Sequence, residues 1–167
     1  INKLNEWIKI DYGKRSGEKH YSYIKPRIIC EEFLPVNNVS DIVDYKIHCF
    51  GGIPKFIGMC YDRVKGRVKG LIYSKDWKRL FYLKDDDEND NINMPKPVVL
   101  DYMLEIARIL SVSFPYVRVD LYAIKDRVFF GELTFTPDGN ILDREYKSNI
   151  VEDLGKYLQL PNKMYRE

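Results

Sequence analysis

Four side chains between positions 116 and 139 have the types and spacing for chemistry on a phosphate: Arg118, Asp120, Glu132 and Thr134. The segment reads YVRVDLYAIKDRVFFGELTFTPDG, two alternating runs joined by a tight loop. Side chains on a strand point to opposite faces in turn. On the first run Val117, Val119 and Leu121 share a face, opposite Arg118 and Asp120. Strict alternation on the second run groups Phe129, Gly131 and Leu133, opposite Phe130, Glu132 and Thr134. Turn length decides whether the two polar faces coincide. A two-residue turn at Lys125-Asp126 would set Asp120 against Gly131 and throw Glu132 to the far side. A three-residue loop from Lys125 to Arg127 sets Asp120 against Glu132 and Arg118 against Thr134. A slip of one residue flips every side chain, so the three-residue loop is expected, because it keeps the apolar faces together. That loop lacks the glycine such hairpins favour. Facing carboxylates repel unless a cation lies between them. Hard oxygen donors in this arrangement suit Mg²⁺, which is commonly held by one or two carboxylates plus substrate phosphates. A neighbouring arginine suits the phosphate. The competing reading is an ordinary half-exposed hairpin with its charges in water.

The elements that must position these residues can be read along the chain. The first strand-like segment, RIICEEF at 27–33, stops at Pro35. DYKIHCF at 44–50 alternates and runs into Gly51-Gly52, a hairpin signal, and a second strand is expected over 55–61. A basic segment at 62–69 leads to a strand over 70–73. Pro95 and Pro97 open a helix expected over 98–110, with Val99, Met103, Ile106 and Leu110 as its stripe and Leu100 and Ala107 widening it. Short helices are expected over 2–10 and 150–158, a polar loop over 12–19, and a frayed tail from 161. Strands, helix, hairpin and helix in that order argue for an α+β fold with an antiparallel sheet and packed helices.

Composition sets the bounds. The 167 residues suffice for one core; hydrophobic content is 45% and charged content 31%, so the chain is globular. A net charge of +2 lacks the overall basic footprint of non-specific nucleic-acid binding. The three cysteines, Cys30, Cys49 and Cys60, have neither zinc nor CxxC spacing and read as reduced core thiols of a cytoplasmic protein. No apolar run of about 18 residues is present, so no membrane span is expected. No signal peptide is visible. The chain starts at Ile1, as a piece of a longer protein would.

RVDLY and FGELTF at this spacing, with DYKIHCFGG upstream, resemble the metal-binding end of ATP-grasp enzymes, and within them the TupA-like branch. The resemblance spans residues 20–160, set between an N-terminal helix and linker at 1–19 and a tail at 161–167. It implies ATP and Mg²⁺ as cofactors. Asp120, Glu132 and Thr134 would hold the metal, Thr134 standing where many relatives carry Asn, and Arg118 would assist catalysis at the phosphate. EEF resembles the segment lining the adenine slot, which places Glu31, Glu32 and Leu34 there; exposed acids at a strand end are the alternative. Asp44 falls near the ribose hydroxyls, Lys46 at phosphate or in solvent, and Arg63 facing substrate or phosphate. His48 reads better as a satisfied structural histidine than as a base. The family activates a carboxylate as an acyl-phosphate for attack by an acceptor, and this branch is associated with bacterial teichuronopeptide and surface-polysaccharide biosynthesis. Nothing before Glu31 supplies the family's phosphate-contacting lysine strand or Gly-rich lid, so either a further N-terminal region of the same protein or a partner is expected to supply them.

Two other readings compete. One is a glycosyltransferase, although Asp85-Asp86-Asp87 offers only the letters of a DxD motif in an acidic loop over 85–93, which reads as solvated and not as a calcium site. The other is a non-catalytic module binding a surface polymer or nucleic acid through the basic segment, with Trp77, Phe81 and Tyr82 as stacking rings.

Overall fold

The computed structural model describes residues 1–34, 42–61, 69–86, 91–137 and 146–160. It resolves two compact units, Ile1–Pro35 with Thr136–Ile141, and Val36–Phe135 with Leu142–Glu167. Arg63 and the basic segment around it, residues 87–90 of the acidic loop, the 138–145 connection and the tail lie outside the described residues.

The larger unit is an antiparallel sheet in the order β4-β3-β2-β1-β5-β6. Its strands are β1 (Asp44–Phe50), β2 (Ile53–Tyr61), β3 (Lys69–Ser74), β4 (Arg79–Leu80), β5 (Tyr116–Ile124) and β6 (Arg127–Thr134). The expected α+β class and antiparallel pairing are therefore present. The hairpin β1–β2 turns at Gly51 and Gly52, whose φ values of 54° and 80° glycine adopts at no steric cost. Its register steps between His48 and Cys49, from His48↔Phe56 to Cys49↔Pro54. That bulge lets β2 begin two residues earlier than its alternation suggests.

One face of this sheet has an apolar centre. Ile47, Cys49, Ile57, Val117, Val119 and Leu121 are fully buried beneath the helix α3 (Leu100–Ser111). The helix turns Leu100, Met103, Ala107 and Ser111 inward, and Val99, Ile106 and Leu110 flank that line. Each fully buried Leu or Met contributes about 1.5–3 kcal/mol, so this face anchors the strands. The opposite face divides in two. At one end Phe50, Phe56 and Ile72 cluster with Tyr146 and with Leu154 of the helix α4 (Ser148–Gly155). The rest carries the polar residues.

The central hairpin reaches the expected register by a different route. Arg118 pairs with Thr134 and Asp120 with Glu132, yet the turn has two residues, with Ile124 opposite Arg127. The difference is made up by a bulge between Asp120 and Leu121 that leaves Gly131 as the extra residue. Beyond it Leu121 pairs with Phe130 and Tyr122 with Phe129, so strict alternation of β6 fails there. Gly131 is required by space. A Cβ at this position would meet the Asp120 carbonyl oxygen at 2.9 Å and the Tyr122 ring at 3.1 Å. Lys125 takes the left-handed turn conformation, φ 58°, that the sequence would have assigned to a glycine.

Two further expectations are corrected. Residues 27–33 form no strand, and among the described residues no neighbour pairs with them; Ile29 and Phe33 are exposed. Asp86 does not belong to a solvated loop. It binds Arg79 at 2.5 Å and accepts the Leu83 backbone N–H at 2.8 Å, with both charged side chains largely buried. None of the three cysteines is in a disulfide, but only Cys49 is buried; Cys60 is half-buried and Cys30 is exposed.

The smaller unit contains α1 (Asn2–Trp7), α2 (Tyr12–Ser16) and a 3-10 turn, Lys19–Tyr23. The expected polar loop is thus partly helical, because Asp11 caps α2 by accepting the Lys14 N–H at 3.1 Å. Gly13 lets this turn close on Ser22, whose hydroxyl donates to Asp11 at 2.7 Å.

Candidate functional site

The polar face of the larger unit gathers most of the chemistry. Register places Lys46 opposite Asp120 and His48 opposite Arg118 across β1 and β5, and Asp44 opposite Tyr122. On the other side of β5, Glu132 and Thr134 face Asp120 and Arg118. Central strands fixed by the α3 core hold these side chains side by side.

Asp120 is the hub. Its side chain is 3% exposed, and both oxygens are engaged. Arg118 Nε donates to Oδ1 at 2.7 Å and an Arg118 terminal nitrogen donates to Oδ2 at 2.8 Å, a two-bond clamp. Lys46 Nζ donates to the same Oδ2 at 2.8 Å and to Asp44 Oδ2 at 2.7 Å. Arg118 reaches further, to Thr134 Oγ1 at 3.1 Å and Glu132 Oε1 at 3.4 Å. Thr134 donates to Glu132 Oε1 at 3.0 Å. Burial works to lower the Lys46 ammonium, but its hydrogen bonds to Asp120 and Asp44 outweigh that and the net direction is upward. The Arg118 guanidinium is likewise raised: burial opposes the charge and the Asp120 bonds overcome it. Both cations stay charged throughout the physiological range.

His48 closes the polar row. It is buried, stacked on Phe56 with ring centroids 4.1 Å apart, and shares a 2.9 Å hydrogen bond from Nδ1 with the Tyr116 hydroxyl. Burial first, then the Arg118 and Lys46 charges, hold its pKa well below the usual range. It is the neutral, satisfied histidine the sequence suggested. Tyr116, which sequence reading passed over, shares the parity of Arg118 and Asp120 on β5; that period was the available signal. Its pKa is raised by burial.

Among the described residues no three of His, Cys, Asp and Glu gather as a cage. What is present is two carboxylates and a hydroxyl on adjacent strands, Asp120, Glu132 and Thr134, beside two cations. That donor set fits Mg²⁺ completing its shell with phosphate oxygens and water. Of the other expected residues, Arg63 lies outside the described residues. Glu31 and Glu32 are exposed and Leu34 half-buried in the smaller unit. That unit also holds an apolar groove of about 590 Å³, lined by Leu4, Trp7, Ile8, Tyr21 and Ile28 among others, which contains none of them.

The rings proposed as a stacking platform are engaged in packing. Trp77 stacks on Tyr73 at 4.4 Å and donates from Nε1 to the Met94 carbonyl at 2.9 Å. Phe81 lies under the Arg79 guanidinium, 5.1 Å away, and Tyr82 sits edge-on to Phe56.

Comparison with known proteins returns one family: a model described as TupA-like ATPgrasp matches residues 1–159. No match was found among the curated proteins or among the solved structures.

Proposed function

The chain belongs to the TupA-like ATP-grasp family, and on that premise we propose that it forms the ATP- and magnesium-binding part of a ligase that activates a carboxylate as an acyl-phosphate. The observation that carries this reading is the set Arg118, Asp120, Glu132 and Thr134 on one sheet face, with Lys46 bonded to Asp120 from the next strand. Asp120 and Glu132 would hold the metal and Thr134 would orient Glu132. Magnesium, when bound, supplies charge neutralisation for phosphoryl transfer, which depends on positioning and electrostatics more than on covalent help from the protein.

The side chains of the chain itself do the rest. Arg118 and Lys46 present fixed positive charge to the phosphates. Asp44 is the second carboxylate on the Lys46 ammonium and fixes where that ammonium points. Its proposed ribose contact, the adenine-facing role of Glu31, Glu32 and Leu34, and the phosphate role of Arg63 follow from the family resemblance. So does the setting, cytoplasmic synthesis of a bacterial surface polysaccharide or teichuronopeptide, with the phosphate-covering lid supplied by a further region of the same protein.

The test is product identity. Incubated with Mg·ATP, candidate carboxylates and hydroxylamine, the protein is expected to release ADP and form a hydroxamate, the trapped acyl group. Release of AMP and pyrophosphate would contradict an acyl-phosphate route.

A further inference from the structure

The smaller unit carries an apolar surface that its described residues leave uncovered. Leu4, Trp7 and Ile8, in α1 and at its C-terminal end, fall at the spacing of one helix face, which ordinarily packs on a core. No residue of α1 is buried, and Trp7 is 54% exposed. Residues 24–29 bring Ile24, Ile28 and Ile29 to the same groove. Its volume of about 590 Å³ falls in the range of small-molecule sites, which are likewise lined mostly by apolar side chains.

The charged groups of the groove are unbalanced. Three line it: Lys9, Asp11 and Arg27. Asp11 is already engaged, accepting the Lys14 N–H at 3.1 Å and the Ser22 hydroxyl at 2.7 Å, so the lining serine is occupied as well. Lys9 and Arg27 are exposed, and neither side chain has an ion-pair partner among the described residues. Their long stems suit a rim position, since such side chains cover apolar surface while the charge stays in water. A nucleobase or a sugar would set most of its polar edge against leucine and isoleucine, at a desolvation cost. An alkyl chain needs no polar partner, and an anionic head needs the two cations.

We propose that this groove binds one molecule of a long-chain amphiphile with an anionic head, the chain lying against Leu4, Trp7, Ile8, Ile24 and Ile28 and the head meeting Lys9 and Arg27. The site is independent of the nucleotide reading and shares no residue with the polar face of the larger unit. Chain burial removes apolar area of both partners from water, and the rim cations add an attraction that salt weakens.

The test uses the full chain and calorimetry with dodecyl phosphate below the concentration at which it forms micelles. Saturable binding of one molecule per chain is expected; its absence would overturn the proposal. A fully buried methylene is worth about fourfold in affinity. The groove is open along one side, so dodecyl phosphate is expected to exceed octyl phosphate by at least about tenfold. Equal binding of the two would overturn the chain contact, and equal binding of uncharged dodecyl maltoside would overturn the anionic head. Dodecyl phosphate with a brominated chain is expected to quench Trp7, and quenching that survives in Trp7→Phe would place the chain elsewhere and overturn the site. In the double variant Lys9→Glu with Arg27→Glu, both at exposed positions, dodecyl phosphate is expected to weaken at least about tenfold while dodecyltrimethylammonium gains. An unchanged preference in the folded variant would overturn the role of the cations; the wild-type titrations decide the question if it does not fold. Binding to phosphatidylglycerol-containing vesicles without binding of the monomer would assign the surface to a bilayer and overturn the proposal. So would a dimer by light scattering that dodecyl phosphate leaves intact, which would assign the groove to a second copy of the chain.

Discussion

Asp120→Asn is expected to cost about 3 kcal/mol of stability, the low end of what breaking a buried ion pair costs, and to eliminate Mg·ATP binding. The size follows from what each partner keeps. Lys46 retains Asp44 at 2.7 Å, and Arg118 retains Thr134 at 3.1 Å and Glu132 at 3.4 Å. What disappears is the carboxylate that both cations share, which accepts three bonds at 2.8 Å or less. Lys46 and Arg118 lose the acid that they share. Urea unfolding should show the midpoint falling by roughly 1–2 M at unchanged slope. A midpoint at the wild-type value would show that the cluster is not the buried hub described here.

Gly131→Ala is expected to have the second-largest effect, although it adds one methyl group. The new Cβ would lie 2.9 Å from the Asp120 carbonyl oxygen and 3.1 Å from the Tyr122 ring. The first of these is backbone and cannot rotate away. Overpacking of this kind costs about 1–3 kcal/mol. The greater consequence is positional. The bulge at Gly131 is what sets Glu132 opposite Asp120 across a two-residue turn. Relief of the clash by straightening the strand would restore the two-residue-turn register and turn Glu132 to the opposite face. Loss of Mg·ATP binding, out of proportion to a modest drop in urea midpoint, is the expected signature. Wild-type binding together with wild-type stability would contradict the role of the bulge.

The hairpin also shows what a sequence can and cannot carry. Alternation on residues 116–121 identified the buried Val117, Val119 and Leu121 and put Arg118 and Asp120 opposite them, because burial on a sheet has period two. The Asp120–Glu132 pairing was legible for the same reason. The route to it was not. A bulge replaces one local irregularity with another, and the apolar pattern constrains only their sum. Gly131, lacking a side chain in an otherwise bulky strand, was the local sign. β1 was legible to the residue for a related reason: it lies between two partners, β2 and β5, and every position answers to a neighbour. Residues 27–33 have the composition of a strand and no partner, so composition misled. Asp86 was hidden by its company, since a run of acids looks solvated until one of them meets a buried Arg79. In the site, Lys46 could be read as a phosphate ligand or a solvent-facing lysine. Its contact with Asp120 depends on β1 and β5 being neighbours, although 74 positions separate the two residues.

The most direct test of the central claim is calorimetric titration of wild type and Glu132→Gln with Mg·ATP. Glu132 is exposed and its contact with Arg118 is long, so the substitution should leave stability within about 0.5 kcal/mol, as for most surface changes. Any loss of binding then reports the lost carboxylate and not a damaged fold. The account predicts a Mg·ATP isotherm in wild type that weakens at least about tenfold in Glu132→Gln, or about 1.4 kcal/mol. Equal binding by the two proteins would show that the face formed by Asp120 and Glu132 does not hold the metal of the nucleotide.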